Sequence, residues 1–326
     1  MSRALIVGID YYEHTSDLIG CVKDAENMAR LLGEHEGGHN NFDCKVWKAS
    51  DKKSAVSRVQ FRKEIEELFK HPTDMALLYF AGHGHIKAAG GTIMASDSLD
   101  GSDGVTLDFI LTLANNSEAT NRVIILDSCY SGSAGYTSHN PKLAALAEGV
   151  TILAAATKDQ YAWGDKNGGV FTNLVVDALS GGAADLLGNI TVASLYAHLD
   201  KSLGDWDQRP VFKANVERFV PLRKVDPPIS RIDLKKIGEY FDKAGDKFKL
   251  DPSYEPRDEA RTPDMPRSNP DHVKIFKILQ KFNRLNLLVP HPKSVPNMWT
   301  AAMKSKWCVL TPLGKHYHRL VKNKRL

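Results

Sequence analysis

Two short stretches of the chain carry side chains suited to covalent chemistry. Leu77-Leu78-Tyr79-Phe80 runs into Ala81-Gly82-His83-Gly84-His85, and Val123-Ile124-Ile125-Leu126 runs into Asp127-Ser128-Cys129-Tyr130-Ser131-Gly132. In each, an apolar run of strand character delivers a polar residue at its carboxyl end, beside glycine that lets backbone approach a ligand closely. A thiol needs a neighbouring base or cation to react as a thiolate near neutral pH. An imidazole on an adjacent strand end can take that proton and later return it to a leaving amine. His83 and Cys129 are therefore the candidate base and nucleophile, with the peptide N–H groups of Gly84 and Cys129 as candidate oxyanion donors. Each residue alone has a plainer reading: a cysteine ending a strand as a small buried hydrophobe, a histidine among glycines as a turn. The pair on two strand ends favours catalysis.

The elements that must position this pair follow from apolar patterning. Residues 4–9, 75–81, 123–127 and 150–155 are near-continuous apolar runs, the mark of strands covered on both faces, and 45–49 is a weaker strand. Helices are expected at 24–32, with Ala25, Met28, Ala29 and Leu32 on one face, and at 54–69, with Val59, Ile65, Leu68 and Phe69 apolar. Further helices are expected at about 171–180 and 191–203. Strand–helix alternation of this kind predicts an α/β domain with a mostly parallel central sheet flanked by helices, and chemistry beyond the carboxyl strand ends.

Charge divides the 326-residue chain. Residues 1–222 carry 20 Lys+Arg against 28 Asp+Glu, a net of −8, whereas 223–326 carry 23 against 11, a net of +12. Within the second part, 271–326 has 12 basic residues and one acid, Asp271. The expected organisation is a 1–222 catalytic domain, a 223–269 linker and a basic 270–326 domain. In the linker, Ile232, Leu234, Ile237, Tyr240, Phe241 and Phe248 predict a short amphipathic helix within 231–249, and five prolines in 251–270 predict an extended tether. A helix over 271–288, a short strand at 307–310 and a closing helix follow. Cys21, Cys44, Cys129 and Cys308 lie far apart with no C-x-x-C pair, so neither a disulfide framework nor a zinc site is indicated and no metal ligands are assigned. A reducing, cytoplasmic setting is expected, with no membrane association, because no apolar run approaches a spanning length and the first residues read as a strand.

Tyr-Phe-Ala-Gly-His-Gly at 79–84 and Asp-Ser-Cys-Tyr-Ser-Gly at 127–132 resemble the caspase-like cysteine peptidases, in particular the metacaspase and prokaryotic caspase-homologue branch. The resemblance extends through 5–12, 18–25, Gly169-Val170-Phe171-Thr172 and Gln208-Arg209-Pro210-Val211, in order over about 1–215. It implies a caspase-type fold, His83 as general base, Cys129 as nucleophile, and Gly84 and Cys129 N–H groups as oxyanion hole. Two positions depart from the commoner pattern: Tyr130, where metacaspases commonly have His, and Ala81, where they often have Ser. The strand–Thr-x-x-Gly–helix ending at 307–320 resembles winged-helix domains, so the basic part is expected as a small α+β winged-helix-like domain.

Asp24 and Asp127 are similar in position to the carboxylates of the acidic first subsite of metacaspases. Two carboxylates near a nucleophile pair with Arg or Lys, so cleavage after Arg or Lys is expected. The plainer reading of Asp24 is a helix-dipole charge, and Asp127 could also orient the site. Asp97, Asp100 and Asp103 suggest calcium as a possible cofactor, although their spacing is not that of an EF-hand. Caspase relatives often mature by cutting themselves in the segment after the catalytic strand. With a basic-P1 pocket, that resemblance implies Lys142–Leu143 as the candidate self-processing bond of a zymogen, Lys142 being the one basic residue in 131–149. Expected partners are protein substrates and an activating protein docking on the C-terminal domain, with nucleic acid as a further candidate. The alternatives to a peptidase are a catalytically silent scaffold and a nucleic-acid-binding regulator.

Overall fold

A computed structural model describes residues 2–87, 90–100, 102–128, 136–137, 140–144, 146–155, 164–165, 168–203, 210–216, 220–257 and 261–326. The chain divides into two units, Met1–Pro227 and Pro228–Leu326. In the first, β1 (Ser2–Ile9), α1 (Cys21–Gly33), β2 (Phe42–Ala49), α2 (Arg58–Lys70) and β3 (Met75–Ala81) alternate. Three short strands follow, β4 (Gly84–Lys87), β5 (Gly90–Ile93) and β6 (Val105–Thr106), then α3 (Leu107–Asn116) and β7 (Asn121–Asp127). A hairpin of β8 (Tyr136–Thr137) and β9 (Asn140–Ala144) leads to β10 (Val150–Ala154), β11 (Gly164–Asp165), β12 (Gly168–Gly169) and α4 (Val170–Asp177). The unit closes with β13 (Asn189–Ile190), α5 (Val192–Ser202), β14 (Val211–Asn215) and β15 (Arg223–Lys224).

Six strands form the central sheet in the order β14-β10-β7-β3-β1-β2. All neighbours run parallel except β14, which pairs antiparallel with β10. Every residue of β3 is buried, which is why that strand is apolar throughout and does not alternate. One face packs on Phe61, Ile65, Leu68 and Phe69 of α2 and on α3; the other packs on Ala25, Met28, Leu31 and Leu32 of α1 and on α4 and α5. Each fully buried side chain of this size contributes roughly 1.5–3 kcal/mol. Gly8 lets α1 approach β1, because a Cβ there would strike the Cys21 carbonyl. The Cys21 N–H at the start of α1 donates to Asp10 Oδ1 at 2.8 Å, so α1 begins at the carboxyl end of the sheet.

Several expectations change in detail. The helix expected at 54–69 starts at Arg58, with the Ser57 hydroxyl accepting from the Gln60 N–H. From that start the inward face is 61, 65, 68 and 69, so Phe61 takes the place given to Val59, which is 74% exposed.

The second unit contains α6 (Arg231–Lys235), α7 (Ile237–Tyr240), β16 (Lys247–Lys249), α8 (Pro270–Arg284), β17 (Leu288–His291), α9 (Met298–Met303), β18 (Trp307–Leu310) and α10 (Pro312–Lys322). Its antiparallel sheet runs β16-β18-β17. The single helix expected within 231–249 is broken at Lys236, and Phe248 lies in β16, where Lys247-Phe248-Lys249 alternates with the two-residue period of a strand. The segment expected as a tether is held down: Pro252–Tyr254 form a 3-10 turn, and the Asn269 N–H donates to the Ser253 carbonyl at 2.9 Å. The helix expected to reach 288 stops at Arg284, where Asn286 turns left-handed (φ 56°) and frees Leu288 to begin β17. Among the described residues no helix is long and apolar enough to cross a membrane.

Candidate active site

His83 follows β3 by two residues, and three contacts hold it. Its backbone N–H donates to the Tyr12 hydroxyl at 2.7 Å, and the Tyr12 ring lies 4.6 Å from the imidazole at 55°. The intervening Gly82 has no room for a side chain: a Cβ there would sit 2.5 Å from the Tyr12 hydroxyl oxygen. His83 Nε2 lies 2.9 Å from the Ser16 carbonyl oxygen. A carbonyl only accepts, so Nε2 carries the hydrogen and Nδ1 of the neutral ring is the proton acceptor. The half-buried imidazole is thereby fixed in tautomer as well as direction.

Gly84 opens β4 opposite Ile93 of β5. The Met94 N–H donates to the His83 carbonyl at 2.9 Å, which makes Gly84/Ile93 a non-hydrogen-bonded pair and turns the Gly84 N–H away from β5. Cys129 and its N–H lie outside the described residues. The strand that leads to it is fully described. β7 pairs with β3 so that Ala81 stands opposite Asp127, and the Gly82 N–H donates to the Asp127 carbonyl at 3.2 Å. His83 and Cys129 thus each follow the same rung of one parallel ladder by two residues. Ser128 is 1% exposed, and its hydroxyl has no hydrogen-bond partner among the described residues.

Asp24 and Asp127 converge on the first turn of α4. Asp24, 2% exposed in the first turn of α1, accepts the Gly169 N–H on Oδ2 at 2.9 Å, while its buried Oδ1 has no hydrogen-bond partner among the described residues. Asp127 Oδ2 accepts the Thr172 hydroxyl at 2.6 Å, and Thr172 Oγ1 lies 2.7 Å from the Tyr79 hydroxyl. Gly169 separates the two acids, because a Cβ on it would lie 2.5 Å from Asp127 Oδ2. Burial raises the Asp24 carboxyl to about 7, reinforced by the charges of Asp127 and Asp10 and opposed by the Gly169 N–H. Burial likewise raises Asp127 to about 6 against the hydrogen bonds of Thr172. The Cys21 thiol is pushed far up by burial and by Asp10, Asp127 and Asp24. Asp24 does sit in the first turn of α1, where the helix-dipole reading puts it, and its carboxylate also accepts the Gly169 N–H at the start of α4.

The loop acids suggested for calcium have other partners. Asp97 Oδ1 accepts the Arg58 N–H at 2.7 Å at the start of α2, Asp103 Oδ2 accepts Arg58 Nη1 at 2.8 Å, and Asp100 Oδ1 accepts the Ser102 N–H at 2.8 Å. Among the described residues no group of three or more His, Cys, Asp or Glu is placed to hold a metal ion. This loop anchors α2, and its carboxylates do not fit a calcium cage. Lys142 lies in β9, in a hairpin pairing Thr137 with Asn140 and Tyr136 with Ala144. Tyr12, Ser16 and Gly169 were not singled out by pattern, and Thr172 carried no role, although Tyr12, Gly169 and Thr172 fall within stretches that resemble the peptidase family.

The chain is 28% identical to metacaspase-1B of Aspergillus fumigatus over 151 residues, 40% of this chain and 36% of that protein. It is 30% identical to metacaspase-1 of Scheffersomyces stipitis over 88 residues, 25% of this chain and 21% of that protein, so it spans about a third or less of these relatives. Protein GSU0716 from Geobacter sulfurreducens superposes with TM-score 0.51 and 17% identity, covering 69% of this chain and all of that one. Caspase-1 from Spodoptera frugiperda superposes with TM-score 0.51 and 13% identity, covering 69% and 90%. These two are likenesses of fold. Residues 1–220 match the family model described as the caspase domain, and the chain belongs to the caspase-domain family.

Proposed function

We propose that the protein is a cysteine endopeptidase that cleaves after Arg or Lys, with His83 as general base and Cys129 as nucleophile. The observation that carries this reading is the β3–β7 register, Ala81 opposite Asp127, which gives both residues the same offset from one rung. His83 Nδ1 takes the thiol proton, and the thiolate attacks the scissile carbonyl carbon. The oxyanion is held by the N–H groups of Gly84 and Cys129. The imidazolium returns the proton to the departing amine, and water, deprotonated by the same imidazole, then hydrolyses the thioester. Asp24 and Asp127 form the P1 subsite: the unpartnered Asp24 Oδ1 needs a donor, and a guanidinium or ammonium supplies one with opposite charge.

The test is a panel of fluorogenic peptides with Arg, Lys or Asp at P1, on wild type and Cys129→Ala. Hydrolysis after Arg and Lys, abolished in the variant, is expected. Activity that survives Cys129→Ala removes the nucleophile, and preference for Asp removes the acidic subsite. On the same reading the Lys142–Leu143 bond is a self-processing site, and Lys142→Ala changes the fragment pattern. The basic second unit fits recognition of an acidic protein partner. Salt-sensitive binding of the full-length Cys129→Ala chain to random duplex DNA would assign it to nucleic acid instead.

A further inference from the structure

Asp127 is aimed by a group that comes 45 residues later in the chain. The Tyr79 hydroxyl on β3, the Thr172 hydroxyl in the first turn of α4 and the Asp127 carboxylate on β7 form a buried chain, with oxygen separations of 2.7 and 2.6 Å. A carboxylate accepts only, so the single hydroxyl proton of Thr172 goes to Asp127 Oδ2, and Thr172 Oγ1 in turn accepts from Tyr79. Tyr79 and Thr172 are both fully buried, so neither hydroxyl has water as an alternative partner. The N-cap residue of α4, Gly169, makes no side-chain cap. The Asp127 carboxylate stands where a Cβ on Gly169 would have to be.

We propose that Thr172 is a positioning residue for substrate selection: its hydroxyl locks one oxygen of Asp127 against α4, so that Asp127 and Asp24 present a fixed pair of carboxylates to a basic P1 side chain. This rests on the basic-P1 reading above. The titratable groups around Asp127 are Asp24 and Cys21 on α1 and Tyr79 on β3, with Asp10 acting on Asp24 and Cys21 from the end of β1. From α4 the neighbouring donors are the Thr172 hydroxyl and N–H, and both oppose the effect of burial. Removing the hydroxyl leaves Asp127 less oriented and easier to protonate.

The experiment is steady-state hydrolysis of P1-Arg and P1-Asp peptides across pH by wild type, Thr172→Val and Thr172→Ser. Thr172→Val is expected to raise KM for the P1-Arg peptide about tenfold with kcat within about twofold, the pattern of lost uniform binding through a hydrogen bond to a charged group. The acid limb of its kcat/KM profile moves to higher pH, by about one unit. Thr172→Ser keeps the hydroxyl and restores both. Wild type that selects Arg, with KM and acid limb unmoved in Thr172→Val, overturns the role of Thr172 alone. So does a Thr172→Val variant whose only change is lower kcat and thermal stability, shared by Thr172→Ser. Wild type that cleaves after Asp and not Arg overturns the basic-P1 reading and this inference with it.

Discussion

Each of the two units holds a buried or half-buried cluster of acid, hydroxyl and a third polar ring, and only one of them has the makings of a site. In the second unit, Ser253 Oγ donates to Asp251 Oδ1 at 2.5 Å and lies 2.7 Å from His272 Nδ1, while the Tyr254 ring stacks on His272 at 4.4 Å. By composition this is a Ser/His/Asp trio. By direction it is not a catalytic one. The serine proton goes to the acid, so His272 must donate to the serine oxygen, whereas an activated serine donates to histidine. Asp251 Oδ1 also accepts the Ser253 N–H at 2.9 Å and caps the 3-10 turn, so the trio fastens that turn. In the first unit the corresponding chain from Tyr79 through Thr172 ends on Asp127, and the adjacent Asp24 keeps an oxygen buried and unpartnered. In both clusters the ring donates to the hydroxyl and the hydroxyl to the acid, so it is the leftover lone pair of Asp24, more than residue type or direction, that sets the proposed site apart from the fastening.

The sharpest way to break this contrast is the same acid-to-amide change in both clusters. Asp24→Asn removes the charge that a basic P1 side chain would meet. It is expected to lower kcat/KM for a P1-Arg peptide by about 100-fold, the scale of breaking a buried charge pair. Asp251→Asn is expected to leave that rate within about twofold, since the C-terminal trio has no part in the chemistry. Equal losses from both substitutions would erase the distinction.

Stability should move in the opposite sense. Asp251→Ala removes a cap and is expected to cost about 1–2 kcal/mol in urea unfolding. Asp24→Asn should instead stabilise, in a pH-dependent way. The folded-state carboxyl is raised to about 7, so its burial costs little where the acid is protonated, and stability is lost as pH climbs through that value. The melting temperature of Asp24→Asn relative to wild type is therefore expected to widen from about pH 5 to about pH 7.5 and then level. A gap that shrinks with rising pH would mean Asp24 is paired with a cation in the free protein.

How much of this was legible depended on how far along the chain each cause lies. β1, β3, β7 and β10 show as near-continuous apolar runs because both faces of the sheet are covered, and that pattern is local. His83, Asp24 and Asp127 could be found because they end or begin such elements. β16 could not: three residues, Lys247-Phe248-Lys249, paired with a strand some sixty residues later, sat inside a run with helical spacing. Thr172 and Ser16 were silent for a related reason. Their roles are hydrogen bonds to residues 45 and 67 positions away, which no local periodicity encodes.

The smallest expected effect concerns the third acidic group, the loop of Asp97 and Asp103, which belongs on the fastened side of the comparison. Asp103 Oδ2 meets Arg58 Nη1 at 2.8 Å with both side chains partly exposed, and its carboxylate also accepts the Leu99 N–H at 3.1 Å. An ion pair of that exposure contributes about 0.2–1 kcal/mol. Asp103→Asn is therefore expected to lower unfolding stability by that much, in millimolar calcium and in chelator alike, because both oxygens of Asp103 are already engaged, by Arg58 Nη1 and the Leu99 N–H. A loss seen in calcium but absent in chelator would move this loop to the other side of the comparison. It would mean that a divalent cation displaces Arg58, and that the donors seen around these carboxylates are only their partners in its absence.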